Sequence, residues 1–261
     1  MFATKQAVAS DFGCASASYE GAARLQRQMG DAMLATIAQP VPQDATVVDL
    51  GCGTGWYTRQ LAQRFGAHTV GVDLAPGMLA YAQAQVQVPE KIQWLEADAE
   101  LLPLADQSVD LIYSNLMIQW CYSPQSVLRE CLRVLRPGGQ LRVSTLLLGT
   151  LHELQQAWTL ADPHKTHVNK FVSVTDFAAT TAEILPAAQL RSQMIMLDYP
   201  TPMALMNELR QLGAGYKDIQ RRKTVTAPGR LKQMCQNYPR QPGGGIVASY
   251  HAGWLEWQKP L

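Results

Sequence analysis

Three glycines at alternating positions, Gly51, Gly53 and Gly55, directly follow an apolar run that is typical of a buried strand. The backbone of such a loop can approach a ligand where side chains would collide with it. Two carboxylates accompany the loop: Asp49 lies within the end of the preceding strand, and Asp73 closes the next predicted strand. A carboxylate at the place of Asp73 accepts hydrogen bonds from ribose hydroxyls in nucleotide-binding folds. The pattern predicts a nucleotide-type cofactor site. The structural alternative is a tight turn with Asp73 capping the following helix.

The spacing of the glycines distinguishes two kinds of cofactor site. A Rossmann dehydrogenase favours Gly-x-Gly-x-x-Gly, and its third glycine would fall at position 56, which is Trp56 in this chain. The tighter Gly-x-Gly-x-Gly spacing therefore disfavours a nicotinamide-dependent dehydrogenase.

The predicted elements around the loop alternate between strand and helix. Because each parallel crossover needs a covering helix, this alternation predicts an α/β fold with a parallel, doubly wound sheet. The first 40 residues are expected to be helical until Pro40 and Pro42 interrupt the pattern. In the core we expect helices at 56–65, 76–86 and 124–136, a turn at 136–139, and strands at 46–50, 68–73, 92–95, 109–114 and 140–147.

After Leu148 the alternation loosens. The order of elements there predicts an antiparallel last strand, which completes a mostly parallel seven-stranded sheet, and a helical lid insertion near 200–240. We expect a single domain over 1–261 with an N-terminal helical cap at 1–40, a cofactor-binding core at 44–148 and a substrate-side half at 149–261. The predicted elements of that half are helices near 151–160, 175–185, 202–213 and 228–237 and strands near 190–199 and 246–257.

The composition limits the class of protein. With 47% apolar and 16% charged residues, the chain is too hydrophobic to be disordered, and its net charge of +1 argues against a surface coated for nucleic acid. Five scattered cysteines without a Cys-x-x-Cys pair indicate reduced thiols, and no apolar stretch has the length of a signal peptide or a membrane span. We therefore expect a cytoplasmic protein. His164 and His167 lack a third ligand in the sequence, so no metal site is predicted.

Five ordered motifs between 44 and 148 resemble the class I S-adenosylmethionine-dependent methyltransferases. This resemblance implies S-adenosyl-L-methionine as cofactor, bound by Asp49, Gly51, Gly53, Gly55, Asp73, Leu74, Asp98, Ala99 and Asn115. The glycine loop would lie beside the methionyl portion, Asp73 would bind the ribose, Asp98 would meet the adenine amino group, and Asn115 would line the floor near the methyl. Asp49 either orients the loop or contacts the ligand, and a structural cap is the alternative for Asp98. The motifs are Val-Val-Asp-Leu-Gly-Cys-Gly-Thr-Gly, Gly-Val-Asp-Leu-Ala-Pro-Gly-Met, Ala-Asp-Ala-Glu-Leu-Leu-Pro-Leu, Val-Asp-Leu-Ile and Leu-Arg-Pro-Gly-Gly.

A second resemblance runs nearly end to end and concerns the malonyl-carrier-protein O-methyltransferases of biotin synthesis. It rests on the N-terminal segment 5–28, on Asn-Leu-Met-Ile-Gln-Trp-Cys at 115–121, and on the segments 144–158 and 169–171. It implies methyl transfer to the free carboxylate of a malonyl thioester on acyl carrier protein. This chain has Lys170 where the family usually has Arg, and Lys cannot make the bidentate contact of Arg with a carboxylate.

Three side chains are candidates for contact with the acceptor carboxylate: Tyr19, Gln119 and Lys170. The structural alternatives are that Tyr19 is a half-buried aromatic in helix packing, that Trp120, next to Gln119, belongs to the core, and that Lys170 is a surface lysine. Because the acceptor is ionised at neutral pH, no general base is required, and catalysis rests on positioning and on exclusion of water.

The region 210–240 concentrates positive charge. It carries eight bases and one acid, a net charge of +7, whereas the rest of the chain carries −6. Acyl carrier proteins are acidic, so these bases are expected to orient one, although a solvated face and a nucleic-acid surface are alternatives. Other functions left open are methyl transfer to another small molecule and cofactor binding without turnover. The expected docking residues are Arg210, Lys217, Arg221, Arg222, Lys223, Arg230 and Lys232.

Overall fold

A computed structural model describes residues 4–37, 42, 44–85, 92–217 and 227–261. Within these ranges seven strands form one sheet in the order β3-β2-β1-β4-β5-β7-β6. Strands β1 to β5 pair in parallel, while β7 is antiparallel to both β5 and β6. The predicted mostly parallel, doubly wound sheet with an antiparallel last strand is confirmed. The strands are β1 (Thr46–Leu50), β2 (His68–Asp73), β3 (Ile92–Glu96), β4 (Val109–Asn115), β5 (Leu135–Leu147), β6 (Gln189–Tyr199) and β7 (Ile246–Gln258).

Many helices begin where the sequence provides a start signal. Four of them have proline in the first turn, where no backbone N–H is needed, and Ser123, Ser173 and Thr201 accept hydrogen bonds as N-caps. The helices are α1 (Lys5–Ala22), α2 (Arg24–Leu34), α3 (Trp56–Phe65), α4 (Pro76–Ala84), α5 (Pro124–Val134), α6 (His152–Ala161), α7 (Val174–Ile184), α8 (Pro202–Gln211) and α9 (Pro228–Asn237).

Two apolar layers cover the faces of the sheet. Leu111 and Tyr113 of β4 pack with one cluster, which includes Met29 of α2, whereas Ile112 packs with the other, which includes Leu128 of α5. This alternation follows from the two-residue repeat of a strand. Burial on both faces holds the loops at the carboxyl ends of β1, β2 and β4 in fixed positions, which is where ligands bind in open α/β sheets.

The turn predicted at 136–139 is not a separate turn before β5. It is an irregularity inside β5, where Val109 pairs with Leu135 but Leu111 pairs with Gln140. Gly138 has a positive φ of 78° and its N–H donates to the Lys259 carbonyl, while Lys259 N–H donates to the Gly139 carbonyl. Helix α5 ends at Val134, earlier than predicted, because Leu135 is already extended and paired with Val109 of β4.

None of the helices in the described ranges has both the length and the apolar character needed to cross a membrane.

Candidate cofactor and acceptor site

The glycine loop requires residues without side chains. Gly51, Gly53 and Gly55 all have positive φ, at 76°, 53° and 74°. A Cβ on Gly51 would lie 2.2 Å from Met117, and a Cβ on Gly55 would lie 2.4 Å from the Trp94 ring. A Cβ on Gly53 would meet no atom within 4 Å, so this residue faces open space. The loop therefore packs tightly at both ends and is accessible in its middle.

Asp49 supports the loop from within the sheet. It is 2% exposed, and its Oδ2 accepts a hydrogen bond of 2.6 Å from the Thr58 hydroxyl in the first turn of α3. Burial raises the pKa of Asp49 to about 7, while the Thr58 hydrogen bond acts in the opposite direction. This geometry favours the orienting role over direct contact with a ligand.

The Asp73 carboxylate links the end of β2 to the glycine loop that follows β1. Its Oδ2 accepts from the Gly53 N–H and its Oδ1 from the Ala75 N–H, each at 2.8 Å. Burial raises the pKa of Asp73, and these backbone hydrogen bonds lower it. The carboxylate is thereby held beside the glycine loop, with lone pairs left for a further donor.

Most of the residues predicted to bind the cofactor line one cleft, which has a volume of about 110 Å³. Asp49 lies instead on a smaller adjoining cavity of about 50 Å³, and Gly55 lines neither of these two cavities. Gly55 is required for packing against Trp94. The predicted residues on the cleft are Gly51, Gly53, Asp73, Leu74, Asp98, Ala99 and Asn115.

Helix α1 closes one side of the cleft, and the sequence analysis named Tyr19 but missed other α1 residues that line it. Lys5, Val8 and Phe12 line the cleft together with Tyr19. The Lys5 ammonium donates to Asp98 Oδ2 at 2.6 Å and lies 3.1 Å from a Glu100 oxygen. The spacing of these four residues places them on one face of α1, and this pattern in the sequence could have identified the other three from Tyr19.

A close helix crossing holds α1 against α4. A Cβ built on Gly77 would lie 2.9 Å from both the Cα and the carbonyl oxygen of Gly13. Backbone therefore meets backbone at this point, and a side chain at Gly77 would force the helices apart.

The floor of the cleft is built at the end of β4. Asn115 donates to the Gln26 carbonyl at 2.9 Å and accepts from the Ser144 hydroxyl at 2.6 Å. Leu116 has a φ of 57°, a strained conformation for a residue with a side chain, and its N–H is held by Ser144. Gln119 donates to the Leu116 carbonyl at 2.8 Å and accepts from Thr145 at 3.2 Å. Hydrogen bonds therefore fix each side chain of the floor.

A second cavity of about 50 Å³ adjoins the cleft, and we call it the acceptor chamber. It has polar groups on an apolar lining, and Phe12, Tyr19, Leu116 and Trp120 line both spaces. The chamber lining is Phe12, Tyr19, Leu25, Gln26, Leu116, Gln119, Trp120, Leu146, Leu151, Asn169, Phe171, Glu208, Leu209, Leu212, Ala214 and Tyr250.

Tyr19 lies where the cleft, the smaller cavity and the chamber meet. Burial, and then the charge of Asp73, raises the pKa of Tyr19 far above its usual range, so its phenol is neutral and able to donate. Gln26 also lines the chamber, and its buried Oε1 has no hydrogen-bond partner among the described residues. An orphaned buried acceptor beside a cavity is costly unless a ligand satisfies it.

The structure does not bring Lys170 to the chamber. Its side chain is exposed, whereas its neighbours Asn169 and Phe171 line the cavity. Lys170 was predicted because it is the cation of this segment. The directions of consecutive side chains, rather than their charges, decide which residues of the segment point into the chamber.

Lys217 is not a free docking cation. Its side chain is 1% exposed, and its ammonium donates to Asp11 of α1. Arg210 and Lys232 are exposed, and Arg230 lies 3.5 Å from the Asp162 carboxylate. Arg221, Arg222 and Lys223 lie outside the described residues. In the same described ranges, no group of three or more His, Cys, Asp or Glu side chains is arranged to hold a metal ion.

Comparison with known proteins adds to this geometry. The family profile described as a methyltransferase domain matches residues 48–143. The malonyl-[acyl-carrier protein] O-methyltransferase of Hahella chejuensis is 37% identical over 251 residues, which cover 95% of this chain and 88% of the relative. The biotin biosynthesis bifunctional protein BioHC of Cellvibrio japonicus is 39% identical over 98% of this chain and 50% of its own length. The solved structure of phosphoethanolamine N-methyltransferase 2 of Haemonchus contortus, in complex with S-adenosyl-L-methionine, is similar to this chain with a TM-score of 0.62 and 17% identity. The match covers 94% of this chain and 57% of that one, and it shows a similarity of fold.

Proposed function

The chain belongs to the malonyl-[acyl-carrier protein] O-methyltransferase family, and from this membership we propose that it methylates the free carboxylate of a malonyl thioester carried on acyl carrier protein. S-adenosyl-L-methionine is the methyl donor, and the reaction serves biotin synthesis. The observation that carries the proposal is 37% identity over nearly the whole length of a curated relative. The adjoining cleft and chamber supply the two compartments that such a transfer needs.

The residues of the cleft fit this donor. Gly53 leaves the middle of the loop open, the Asp73 carboxylate faces the cleft as a ribose acceptor, and Asp98 and Ala99 line its far end. The unpartnered Gln26 Oε1, which lines the smaller cavity next to the glycine loop, offers an acceptor for the ammonium of the methionyl portion. The sulfonium supplies an already activated methyl group.

The chamber then has to hold a carboxylate without neutralising it. The Tyr19 hydroxyl, kept neutral by burial, donates to one oxygen and leaves the other to react. Gln119 fixes the floor through its two hydrogen bonds. Because the acceptor is ionised at neutral pH, no side chain needs to remove a proton. Positioning and exclusion of water therefore provide the rate enhancement.

Two features of the described residues support water exclusion and a small acceptor. Phe12 of α1 contacts Trp120 edge to face at a centroid distance of 5.2 Å, which closes the wall shared by cleft and chamber. The chamber volume of about 50 Å³ corresponds to roughly three to five water-sized groups. A short, polar malonyl head suits this space better than a long acyl chain.

The proposal is tested by incubating the protein with S-adenosyl-L-methionine and malonyl-carrier protein, and then measuring the product mass. A gain of one methyl mass on the malonyl carboxylate is expected. No gain, or methylation of an unrelated small acceptor instead, would refute the assignment. Binding of the donor without release of S-adenosylhomocysteine would indicate a non-catalytic binding protein.

The role of Tyr19 is tested separately by Tyr19→Phe. We expect a loss of ~10- to 100-fold in kcat/KM for the acceptor, because a hydrogen bond to a charged group is removed, with little change in donor affinity. Tyr122→Phe, at an exposed tyrosine outside the cavities described above, is the control. Equal activity of Tyr19→Phe and the control would exclude the phenol from acceptor binding.

A further inference from the structure

A fourth cavity adjoins the acceptor chamber. It has a volume of about 510 Å³ and lies between α1 and the segment 209–217. Cys14 and Ser18 of α1, Arg210 of α8 and the strap Gly213–Lys217 line it. We call this space the α1–α8 groove, and the function proposed above does not account for it.

The groove meets the acceptor chamber along a common wall. Leu151, Asn169, Leu209 and Ala214 line both spaces. A molecule that lies in the groove and extends past these four residues enters the chamber, which in turn adjoins the cofactor cleft at Tyr19. The groove is therefore placed to lead from solvent toward the reacting atoms.

The strap is tied down by groups that suit a chain of amides. Asn169 Oδ1 accepts from the Lys217 N–H at 2.7 Å, and Asn169 Nδ2 donates to the Gly215 carbonyl at 3.3 Å. The same side chain can exchange these partners for the carbonyl and N–H groups of a bound amide. Leu154, Val168 and Met206 add apolar surface to the lining, beside the polar side chains of Ser18, His167 and Gln211.

The groove has a paired, buried cation in its wall and an exposed cation at its rim. Lys217 is buried and paired with Asp11, so its ammonium is neutralised within the wall. Arg210, in contrast, is exposed on the rim, where its side chain contacts Asn207 at 3.3 Å. A ligand with an uncharged amide portion inside and an anion at the rim matches this distribution.

We propose that the α1–α8 groove binds the 4′-phosphopantetheine arm of the carrier protein, with the phosphate at Arg210, the amides at Asn169 and the thioester directed into the chamber. The inference rests on the proposed function, because this arm is what joins a malonyl group to an acyl carrier protein. It adds a route and a phosphate contact to a site that otherwise ends at the chamber.

The phosphate contact is tested with two soluble acceptors that differ only in that group, malonyl-4′-phosphopantetheine and malonyl-pantetheine. In the unaltered protein we expect kcat/KM to be ~10-fold higher for the phosphorylated acceptor. In Arg210→Gln this ratio should fall to about one. Arg129→Gln, at an exposed position on α5, is the matched control and should keep the ratio.

The outcomes of this experiment separate the two proposals. If neither acceptor is methylated by the unaltered protein, and malonyl-carrier protein is not methylated either, the proposed function fails. If acceptors are methylated but the ratio is about one, or survives in Arg210→Gln, the function stands and the phosphate contact is wrong.

The route itself is tested by filling the groove. Cys14→Trp places a large ring at an exposed groove position of α1, while Ala17→Trp places the same ring at an exposed α1 position outside the described cavities. We expect Cys14→Trp to raise KM ~10-fold or more for malonyl-pantetheine, but much less for the truncated malonyl-N-acetylcysteamine. Calorimetric titration of S-adenosyl-L-methionine reports whether each variant is folded. Equal KM changes for both acceptors, or for both variants, would exclude the groove as the route.

Discussion

Asp49 is a buried carboxylate at the end of β1. The variant Asp49→Asn measures how much the ionised carboxylate lowers the free energy of unfolding. The side chain is 2% exposed and its pKa is raised by burial to about 7, from 3.8. Each pKa unit corresponds to ~1.4 kcal/mol. Ionised Asp49 therefore reduces the free energy of unfolding by up to ~4 kcal/mol at a pH above its folded pKa.

The direction of the pH dependence follows from the raised pKa. The contribution of Asp49 to stability is fully present below its ordinary pKa and is lost as the pH rises through about 7. This one group lowers the free energy of unfolding by ~1.4 kcal/mol per pH unit near pH 5 and by about half as much per unit at pH 7, where it is half ionised. An asparagine does not titrate, and its oxygen can still accept from Thr58. The stability of Asp49→Asn relative to the unaltered protein should therefore rise by ~2 kcal/mol between about pH 5 and pH 7.

The assay is urea unfolding followed by circular dichroism, at several pH values, for both proteins without cofactor. Asp44→Asn, which removes an exposed carboxylate just before β1, is the control for the loss of one negative charge. If the profiles of the unaltered protein and of Asp49→Asn stay parallel within ~0.5 kcal/mol, burial does not raise the pKa of Asp49 and the reasoning is refuted.

Three further substitutions test the cofactor cleft by calorimetric titration of S-adenosyl-L-methionine. Asp73→Ala should weaken binding ~10- to 100-fold, because a charge-assisted hydrogen bond is lost, and unchanged affinity would reduce Asp73 to a structural link between loops. Lys5→Met should weaken binding by up to ~1 kcal/mol, because it removes a partly exposed ion pair with Asp98. This loss of affinity should be smaller at high salt, and a loss that does not depend on salt would contradict the interpretation. Gly77→Ala should destabilise the fold by ~1–3 kcal/mol through its clash with Gly13, and it should also weaken binding. The control is Gly21→Ala, where the new Cβ has no atom within 4 Å, and it should change neither stability nor binding.

The bounds of most elements could be read from local patterns. The strand at 68–73 and the helix at 56–65 end where predicted, because apolar periodicity, glycine and proline act over a few residues. The exception at 136–139 depends on a contact with Lys259, which is distant in sequence, and no local pattern reports such a contact.

The lining of the candidate cofactor cleft was also largely predictable. Gly51 and Gly53 follow β1, Asp73 ends the neighbouring strand β2, and topology alone brings the carboxyl ends of these parallel strands together. Lys5 was missed because its approach to Asp98 depends on how α1 packs over the sheet. The Gly13–Gly77 crossing fixes that packing, and although Gly77 belongs to the motif at 71–78, no local pattern reports that it meets Gly13.

By itself, the sequence determined the class of fold, the place of the candidate cofactor cleft and the family, because these depend on short-range periodicity and on motifs whose spacing is fixed by the backbone. Tertiary structure alone decided which polar groups line the proposed acceptor chamber and the groove beside it. It turned Asn169 inward and left Lys170 exposed, and it buried Lys217 against Asp11 while Arg210 remained at the rim. The physical reason is that the direction and pairing of a side chain depend on long-range packing, whereas its charge is visible in the sequence.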